Sequence, residues 1–412
     1  MNYKIFVGID VSKNFFSACA IDSQQNILFQ ITLPMDKHGF KTLTKKLKNY
    51  PKYSILIGKE SSGCYHINLF AFLSNKNFHC VLLNPLLVSN FIKLNLRKTK
   101  TDKADAKSIA LLLSLLHEKL PKQAFLPQEF KELARERESL VQRSAQLKND
   151  IEKLCVVFFP ELERKVNIYS TTILKLLEKF PSAKAISNLP IETLSKLLKP
   201  SSKGRNVNIS PYELKTLAKN SIAQKFPVKE LILSRKIKEL FFVEENIKQI
   251  NKLLREICEN SSQKQNVEIL KYIKGIGESS AIHFIAEVGD IKKFSNAKKL
   301  IAYCGLDPTV YQSGNYQGKS KISKRGNRHL RRIIWLMTVS VVRFNAYFRD
   351  YFLRRRKEGL PYKKAILATS HKLIRTIYAM LTKKTYFHVP CPSLSPNLTF
   401  NSQKKIFYNF IS

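Results

Sequence analysis

Asp10, Glu60, Asp102 and Asp105 are four of only six acidic residues in the first 110 positions, a segment that also holds 16 lysines and arginines. Where acids are that scarce, their placement is informative. Asp10 ends a short apolar run, IFVGID, and Glu60 ends another, YSILIGKE. Asp102 and Asp105 stand three apart in KTKTDKADAKSIALLL, and residues i and i+3 share a helix face. The ends of a first and a fourth strand can be neighbours in a mixed sheet. A helix packed on that sheet can bring its first turn to the same point. Four converging carboxylates would raise one another's pKa values unless a cation compensates them. Hard oxygen ligands suit Mg²⁺ or Mn²⁺. Two such ions about 3.5–4 Å apart would clamp both the attacking and the leaving oxygen of a phosphoryl transfer. Each acid also has a plainer structural use. Asp102 could cap a helix while Asp105 favours its dipole; Asp10 could be a turn residue and Glu60 a surface acid. One shared cause is a better account of four of six acids than four separate ones.

The elements that must position these acids follow from patterning. Strands are expected at 5–10, 15–21, 27–33, 53–58 and 79–83, the last closed by Asn84-Pro85. Helices are expected over 40–47 and 65–73 and from Thr101 or Asp102 onward. Three sequential strands followed by βα units suit a mixed sheet with helices on its faces. Beyond it, Leu133, Leu140, Leu147 and Leu154 recur every seven residues, as do Leu233, Leu240, Ile247 and Leu254. These read as a coiled coil, or as two amphipathic helices in one bundle. Pro and Gly stops between them mark a small helical insert over about 160–228. The expected domains are 1–118, a helical linker over 119–262, a mainly α domain over 263–390, and a tail over 391–412.

Composition narrows the partner. The chain has 412 residues, with 71 Lys and Arg against 31 Asp and Glu, a formal net charge of +40. Such a field attracts polyanions, and nucleic acid is the expected partner. No apolar run of about 18 residues offers a membrane span, and Asp10 interrupts any N-terminal signal-like segment. Seven scattered cysteines without a CxxC spacing read as reduced thiols, not as zinc ligands or a disulfide framework.

The last third carries a second constellation. In KGIGESSAIHFIAEVGD the Gly275-Ile-Gly277 turn has the form of a helix-hairpin-helix, which offers backbone N–H groups to a phosphate. From Lys319 to Arg332, seven of 14 residues are basic, namely Lys319, Lys321, Lys324, Arg325, Arg328, Arg331 and Arg332, and none is acidic. Tyr303, Tyr311 and Tyr316 nearby could stack on bases, and Arg354 to Lys357 form another basic cluster. Within this region Ser313 is the notable hydroxyl, yet no adjacent His or Asp activates it. By sequence alone it is a turn serine in QSGN.

The motifs GIDVSK (8–13), KESSGCYH (59–66), LLNP (82–85) and KTDKADA (100–106) resemble the RuvC-like domain of the DEDD transposases, recombinases of insertion sequences. Leu270 to Leu336 resembles the C-terminal domain of the same family through GIG, Phe294, AYCGLDP, QSG and ISKRGNRHLRR in family order. PYKKAILATSHKLIRTIYAML fits its closing helix. The chain departs at Ser62, where the family usually has Thr. The resemblance implies an α/β RNase H-like (RuvC-like) N-terminal domain, a central coiled-coil region and a mainly α C-terminal domain. It implies that Asp10, Glu60, Asp102 and Asp105 bind Mg²⁺ or Mn²⁺, two ions in all, and that Ser313 is the nucleophile. It further implies DNA at element ends and target as substrate, a noncoding bridge RNA as guide, and a homo-oligomer, dimer or tetramer, in a prokaryotic cytoplasm at the nucleoid. The heptad helices are the expected dimer contact.

Three other readings compete. A metal-dependent nuclease of the junction-resolvase type shares the acids and needs no serine. A nucleic-acid-binding protein with a decayed site needs neither. A sugar-kinase-like ATPase would use GIDVS as a phosphate turn, but no second Gly-rich loop accompanies it. All readings that involve nucleic acid share one expectation. Affinity for nonspecific DNA falls steeply and linearly on a log–log plot against salt. A salt-insensitive affinity in a filter-binding or anisotropy titration would contradict a basic binding surface.

Overall fold

In a computed structural model of the chain, the described residues are 3–61, 63–94, 101–119, 129–198, 208–224, 226–309, 312–313, 316–317 and 321–388. They divide into two compact units, Met1–Glu129 and Phe130–Ser412.

The first unit is one five-stranded mixed sheet between two helical layers. Its elements are β1 (Ile5–Val11), β2 (Phe15–Asp22), β3 (Ile27–Pro34), α1 (Lys37–Leu47), β4 (Ile55–Glu60), α2 (Ile67–Asn75), β5 (His79–Leu83), α3 (Pro85–Lys93) and α4 (Asp102–Leu116). The strand order is β3-β2-β1-β4-β5. The first three strands form an antiparallel meander, while β1, β4 and β5 run parallel. Central β1 and β4 are buried almost end to end, as a sheet covered on both faces requires.

Side chains alternate across this sheet. Ile5, Val7 and Ile9 join Ile55 and Ile57 in the core under α1 and α2. Phe6 and Leu56 join the opposite core, under α3 and α4. Gly8 and Gly58 are direct partners across the β1–β4 ladder. They form a shallow crossing place for α4. A Cβ on Gly8 would stand 2.1 Å from the Ala106 carbonyl oxygen and 2.3 Å from the Ala110 nitrogen. One on Gly58 would meet the Leu113 side chain at 2.6 Å. The helix backbone therefore lies directly on the strand.

The sequence reading missed α3. Asn84-Pro85 does end β5, but it also starts a helix: the Asn84 side chain accepts from Leu86 N–H and Pro85 takes the first helical turn.

Among its described residues the second unit is helical, with four short strands. Two long helices, α5 (Glu129–Phe158) and, later in the chain, α11 (Pro227–Glu259), pair antiparallel. Lys236 donates to Asp150 at 2.7 Å near one end, and Arg137 donates to Asn251 at 2.6 Å toward the other. Between these two helices the chain forms α6 (Pro160–Glu163), α7 (Thr171–Lys179), α8 (Ala183–Ser187), α9 (Ile191–Leu198) and α10 (Pro211–Lys219). This insert buries Leu147, Ile151 and Phe158 of α5 with Leu233, Ile237 and Leu240 of α11. After α11 come α12 (Lys264–Lys271), α13 (Glu278–Val288), α14 (Ala297–Tyr303), β6 (Pro308–Thr309), β7 (Gln312–Ser313), β8 (Tyr316–Gln317), β9 (Lys321–Ile322), α15 (Arg328–Phe344), α16 (Ala346–Lys357) and α17 (Tyr362–Lys383). Their core takes in Ala134 of α5 and Leu254 and Cys258 of α11. The long pair thus joins two cores within one chain.

The heptad seams find partners within the chain. Leu147, Leu233, Leu240 and Leu254 are buried inside the chain, and Leu140 and Leu154 pack against the same interior. Among the described residues six cysteines are free, and no helix is long and apolar enough to cross a membrane.

Gly8→Ala is expected to lower the stability of the first unit by about 1–3 kcal/mol, because the helix backbone it meets cannot yield as a side chain would. Urea unfolding followed by circular dichroism measures this; an unchanged midpoint would mean that α4 does not rest on the strand.

Candidate functional site

Three of the four sequence-chosen acids come together in the first unit. Asp10 alternates with Phe6 and Gly8, so it lies on the sheet face that α4 covers. Glu60 lies on the same face of β4, next beyond the last paired residues, Ile9 and Lys59. Asp102 and Asp105 occupy the first turn of α4, next to Ala106 where the helix meets Gly8. The Gln30 side chain donates to the Lys103 carbonyl at 2.8 Å and ties that turn to β3.

The helix cap resolves the competing role of Asp102. Thr101, not Asp102, is the N-cap, and its hydroxyl accepts from Ala104 N–H at 3.2 Å. Asp102 is left with no capping duty.

The electrostatics record the convergence. Burial pushes the Asp10 carboxyl above the usual aspartate range, and the charges of Asp102 and Asp105 push it further. The Val11 N–H, donating to Asp10 Oδ1 at 3.0 Å, and the Lys59 ammonium pull it partly back. Mutual repulsion is what a carboxylate cluster shows without a cation. Among the described residues no three His, Cys, Asp or Glu side chains stand as a ready ligand set. The donor chemistry is nonetheless that of a hard divalent ion: carboxylate oxygens at strand ends and a helix start.

Lys59 is the functional candidate that sequence reasoning missed. It is only 3% exposed. Burial lowers its pKa, while Asp10, Glu60 and Cys64 raise it. Its ammonium lies 3.4 Å from His66 Nδ1. Burial, then the Lys59 charge, depress His66 to about 4, so its imidazole is neutral at pH 7 and can accept from the ammonium. The signal lay in the motif KESSGCYH. A lysine within a continuously buried strand must find a partner, and a histidine follows seven residues later.

In the second unit, Ser313 lies on a short β arm. Pro308 and Thr309 pair with Ile322 and Lys321, and further out Gln312 and Ser313 pair with Gln317 and Tyr316. In sequence, two residues separate Thr309 from Gln312 and three separate Gln317 from Lys321. Ser313 is the last residue of its strand to be paired, with Tyr316 opposite.

The base of the arm is locked. Gly305 and Gly326 cross so closely that a Cβ on Gly326 would lie 2.2 Å from the Tyr303 carbonyl oxygen. Asn327 N–H donates to that same oxygen at 2.7 Å, Lys324 N–H to Gly305 O, and Ser323 Oγ to Asp307 at 2.6 Å. The AYCGLDP and SKRGN motifs are thus two halves of one clasp around the serine arm.

The basic candidates divide by what they touch. Lys321, Lys324, Arg325 and Arg328 are exposed. Arg331 is spent inside, donating to the Cys304 carbonyl at 3.1 Å. Lys319 and Tyr311 lie outside the described residues. Gly275, at φ 106°, packs against the α15 backbone, where a Cβ would meet Val341 Cα at 2.8 Å. Its turn has that packing cause whatever it binds. Gly277 opens α13 toward free space. In the other basic cluster, Arg355 pairs with Glu358 and Arg356 donates to the Leu360 carbonyl, so the helix end uses both.

Comparison with known proteins gives matching results for both units. Residues 7–160 match a family model described as a transposase of the DEDD, IS110 type, and residues 267–353 match one described as a transposase of the IS116/IS110/IS902 family. The uncharacterised 44.8 kDa protein of insertion element IS116 from Streptomyces clavuligerus is 24% identical, over 95% of this chain and 98% of its own length. The pilin gene-inverting protein of Moraxella bovis is 24% identical, over 93% of this chain and 98% of its own. The transposase of insertion element IS1111A from Coxiella burnetii is 22% identical, over 92% and 90%.

The raised Asp10 pKa has a measurable sign. Folding tightens the hold of Asp10 on its proton, so this contribution to stability is present below the ordinary aspartate range. It is lost as pH rises through the raised value. In chelator-treated protein, Asp10→Asn should therefore raise the thermal midpoint at pH 7 and change it little near pH 3. A lowered midpoint at pH 7 would contradict the electrostatic crowding.

Proposed function

The chain belongs to the DEDD transposases of the IS110 type, and from that premise we propose that it cuts and rejoins DNA strands through a carboxylate metal site and the Ser313 nucleophile. The observation that carries the metal half is the charge crowding at Asp10, where Asp102 and Asp105 stand near enough to raise its pKa. Asp10, Glu60, Asp102 and Asp105 are the residues that would hold Mg²⁺ or Mn²⁺. A divalent ion there supplies Lewis-acid polarisation of the scissile phosphate.

The protein's own groups do the rest. The Gly8–α4 contact fixes the first-turn acids against the sheet. Lys59 supplies a buried positive charge that partly offsets the upward shift of Asp10. In the second unit, Ser313 Oγ bonds to phosphorus as the bond to the departing strand oxygen breaks, with net transfer of the serine proton to that oxygen. A hydroxyl of the exchanging strand then displaces Ser313 and restores it. Lys321, Lys324, Arg325 and Arg328 contact the phosphate backbone, and a noncoding bridge RNA directs the choice of DNA.

A metal-dependent nuclease of the resolvase type remains the second reading, since the acids alone suffice for hydrolysis. Relatives named as pilin gene-inverting proteins favour strand exchange over simple cutting.

The test is a Mg²⁺-dependent reaction on element-end DNA with its flanking transcript, quenched in denaturant to trap protein–DNA adducts. Ser313→Ala should abolish the adduct and lower strand exchange by about a thousandfold or more. Asp105→Asn should lower both. Full cleavage by Ser313→Ala would establish the nuclease reading instead.

A further inference from the structure

Two buried glutamates of the second unit organise cations around one cleft. Glu287, on α13, has a side chain fully removed from solvent. It accepts both guanidinium donors of Arg135, at 2.6 and 3.0 Å, and the Asn327 side-chain amide at 2.6 Å, with Lys131 3.7 Å away. Glu138, on α5, accepts from His329 Nδ1 at 2.6 Å, and Arg332 Nε stands 3.5 Å from its other oxygen. The far nitrogen of His329 accepts from Arg328 Nε at 3.3 Å. A carboxylate–imidazole–guanidinium series thus steadies Arg328, an otherwise exposed side chain.

These groups surround a cleft of about 350 Å³ between α5 and the first turn of α15. Arg135, Ser139 and Gln142 line one side, and Arg328, His329 and Arg332 the other. Four cations, counting Lys131, face two carboxylates. The carboxylates are the hidden partners: the Arg135 and Arg332 side chains are 39% and 42% exposed, those of Glu287 and Glu138 0% and 9%. The cleft therefore presents guanidinium edges and hydrogen-bond donors to solvent. That is the chemistry of phosphate recognition, for which planar guanidinium forks are suited.

We propose that this cleft grips a backbone phosphate of duplex DNA, with Arg135, Arg328 and Arg332 on its oxygens and Ser139 and Gln142 as donors. The proposal rests on the DNA-recombining reading and adds a site to it. α15 begins at the clasp that closes the serine arm, so a phosphate held here would set the register of DNA on the same unit as Ser313. The α5 wall, from the central helices, was not expected to touch nucleic acid.

The test is fluorescence anisotropy of the full chain with duplex DNA across a salt series. A structured RNA hairpin serves as a parallel arm. Arg328→Gln and Arg332→Gln should each reduce the log–log salt slope for duplex DNA by about one. Ser139→Asp places a negative charge at the cleft while leaving both glutamate networks intact, and should weaken duplex binding by about tenfold. Lys252→Gln, on the exposed face of α11, should change neither. Thermal midpoints check that each variant is folded. Wild-type slopes in both arginine variants together with wild-type affinity in Ser139→Asp would overturn the proposal, as would losses confined to the RNA arm. Strand exchange by the wild type reports separately on the function proposed above: it can succeed while the cleft variants bind normally, or fail while they lose affinity.

Discussion

The first unit depends on a helix backbone laid directly against a strand backbone at Gly8. Any side chain there would lift α4 away from the sheet, because what it meets is the Ala106 carbonyl and the Ala110 amide rather than a movable side chain. The contact is costly to replace and therefore exact in its consequence: the helix start that carries Asp102 and Asp105 is pinned at the end of β1 that carries Asp10. Gly58, paired with Gly8, widens the same crossing place for Leu113. Thr101 completes it by taking the cap, so the helix start does not depend on Asp102 for capping. Repulsion from Asp102 and Asp105 raises the pKa of Asp10, and a divalent cation bound as proposed would offset it.

Much of this arrangement was legible in the sequence. The five strands, their boundaries within a few residues, and the helix start at Thr101–Asp102 followed from apolar runs, and the rarity of acids drew attention to Asp10, Asp102 and Asp105, which the fold places within electrostatic reach of one another. What stayed hidden depended on tertiary contact. The sequence reading did not set Lys59 apart, because its burial follows only from β4 lying in the middle of the sheet. Asn84-Pro85 signals a stop and a start equally well, so α3 was lost. The paired strands of the serine arm are two residues each, too short for alternation to register.

The heptads teach a related lesson. Leucines repeating every seven residues establish that a helix has a seam but leave its partner open. Here α5 and α11 supply each other, and the insert between them and the C-terminal helices cover the two ends. Several polar positions along α5 also proved informative. Glu138 and Arg135 lie among the half-buried leucines, where a lone charge would be expensive. Each is matched by groups from α13 or α15, more than 150 residues away in sequence. Sequence spacing cannot show such pairs; it shows only that α5 is less apolar than a simple core helix.

The most direct test of the central claim, that α4 brings its acids to Asp10 to hold a divalent ion, is a calorimetric titration of Mn²⁺ into the chelator-stripped full chain. The expected result is saturable binding by the wild type that is lost or greatly weakened in Asp105→Asn while the fold persists. Equal stoichiometry and affinity in the two proteins would contradict it.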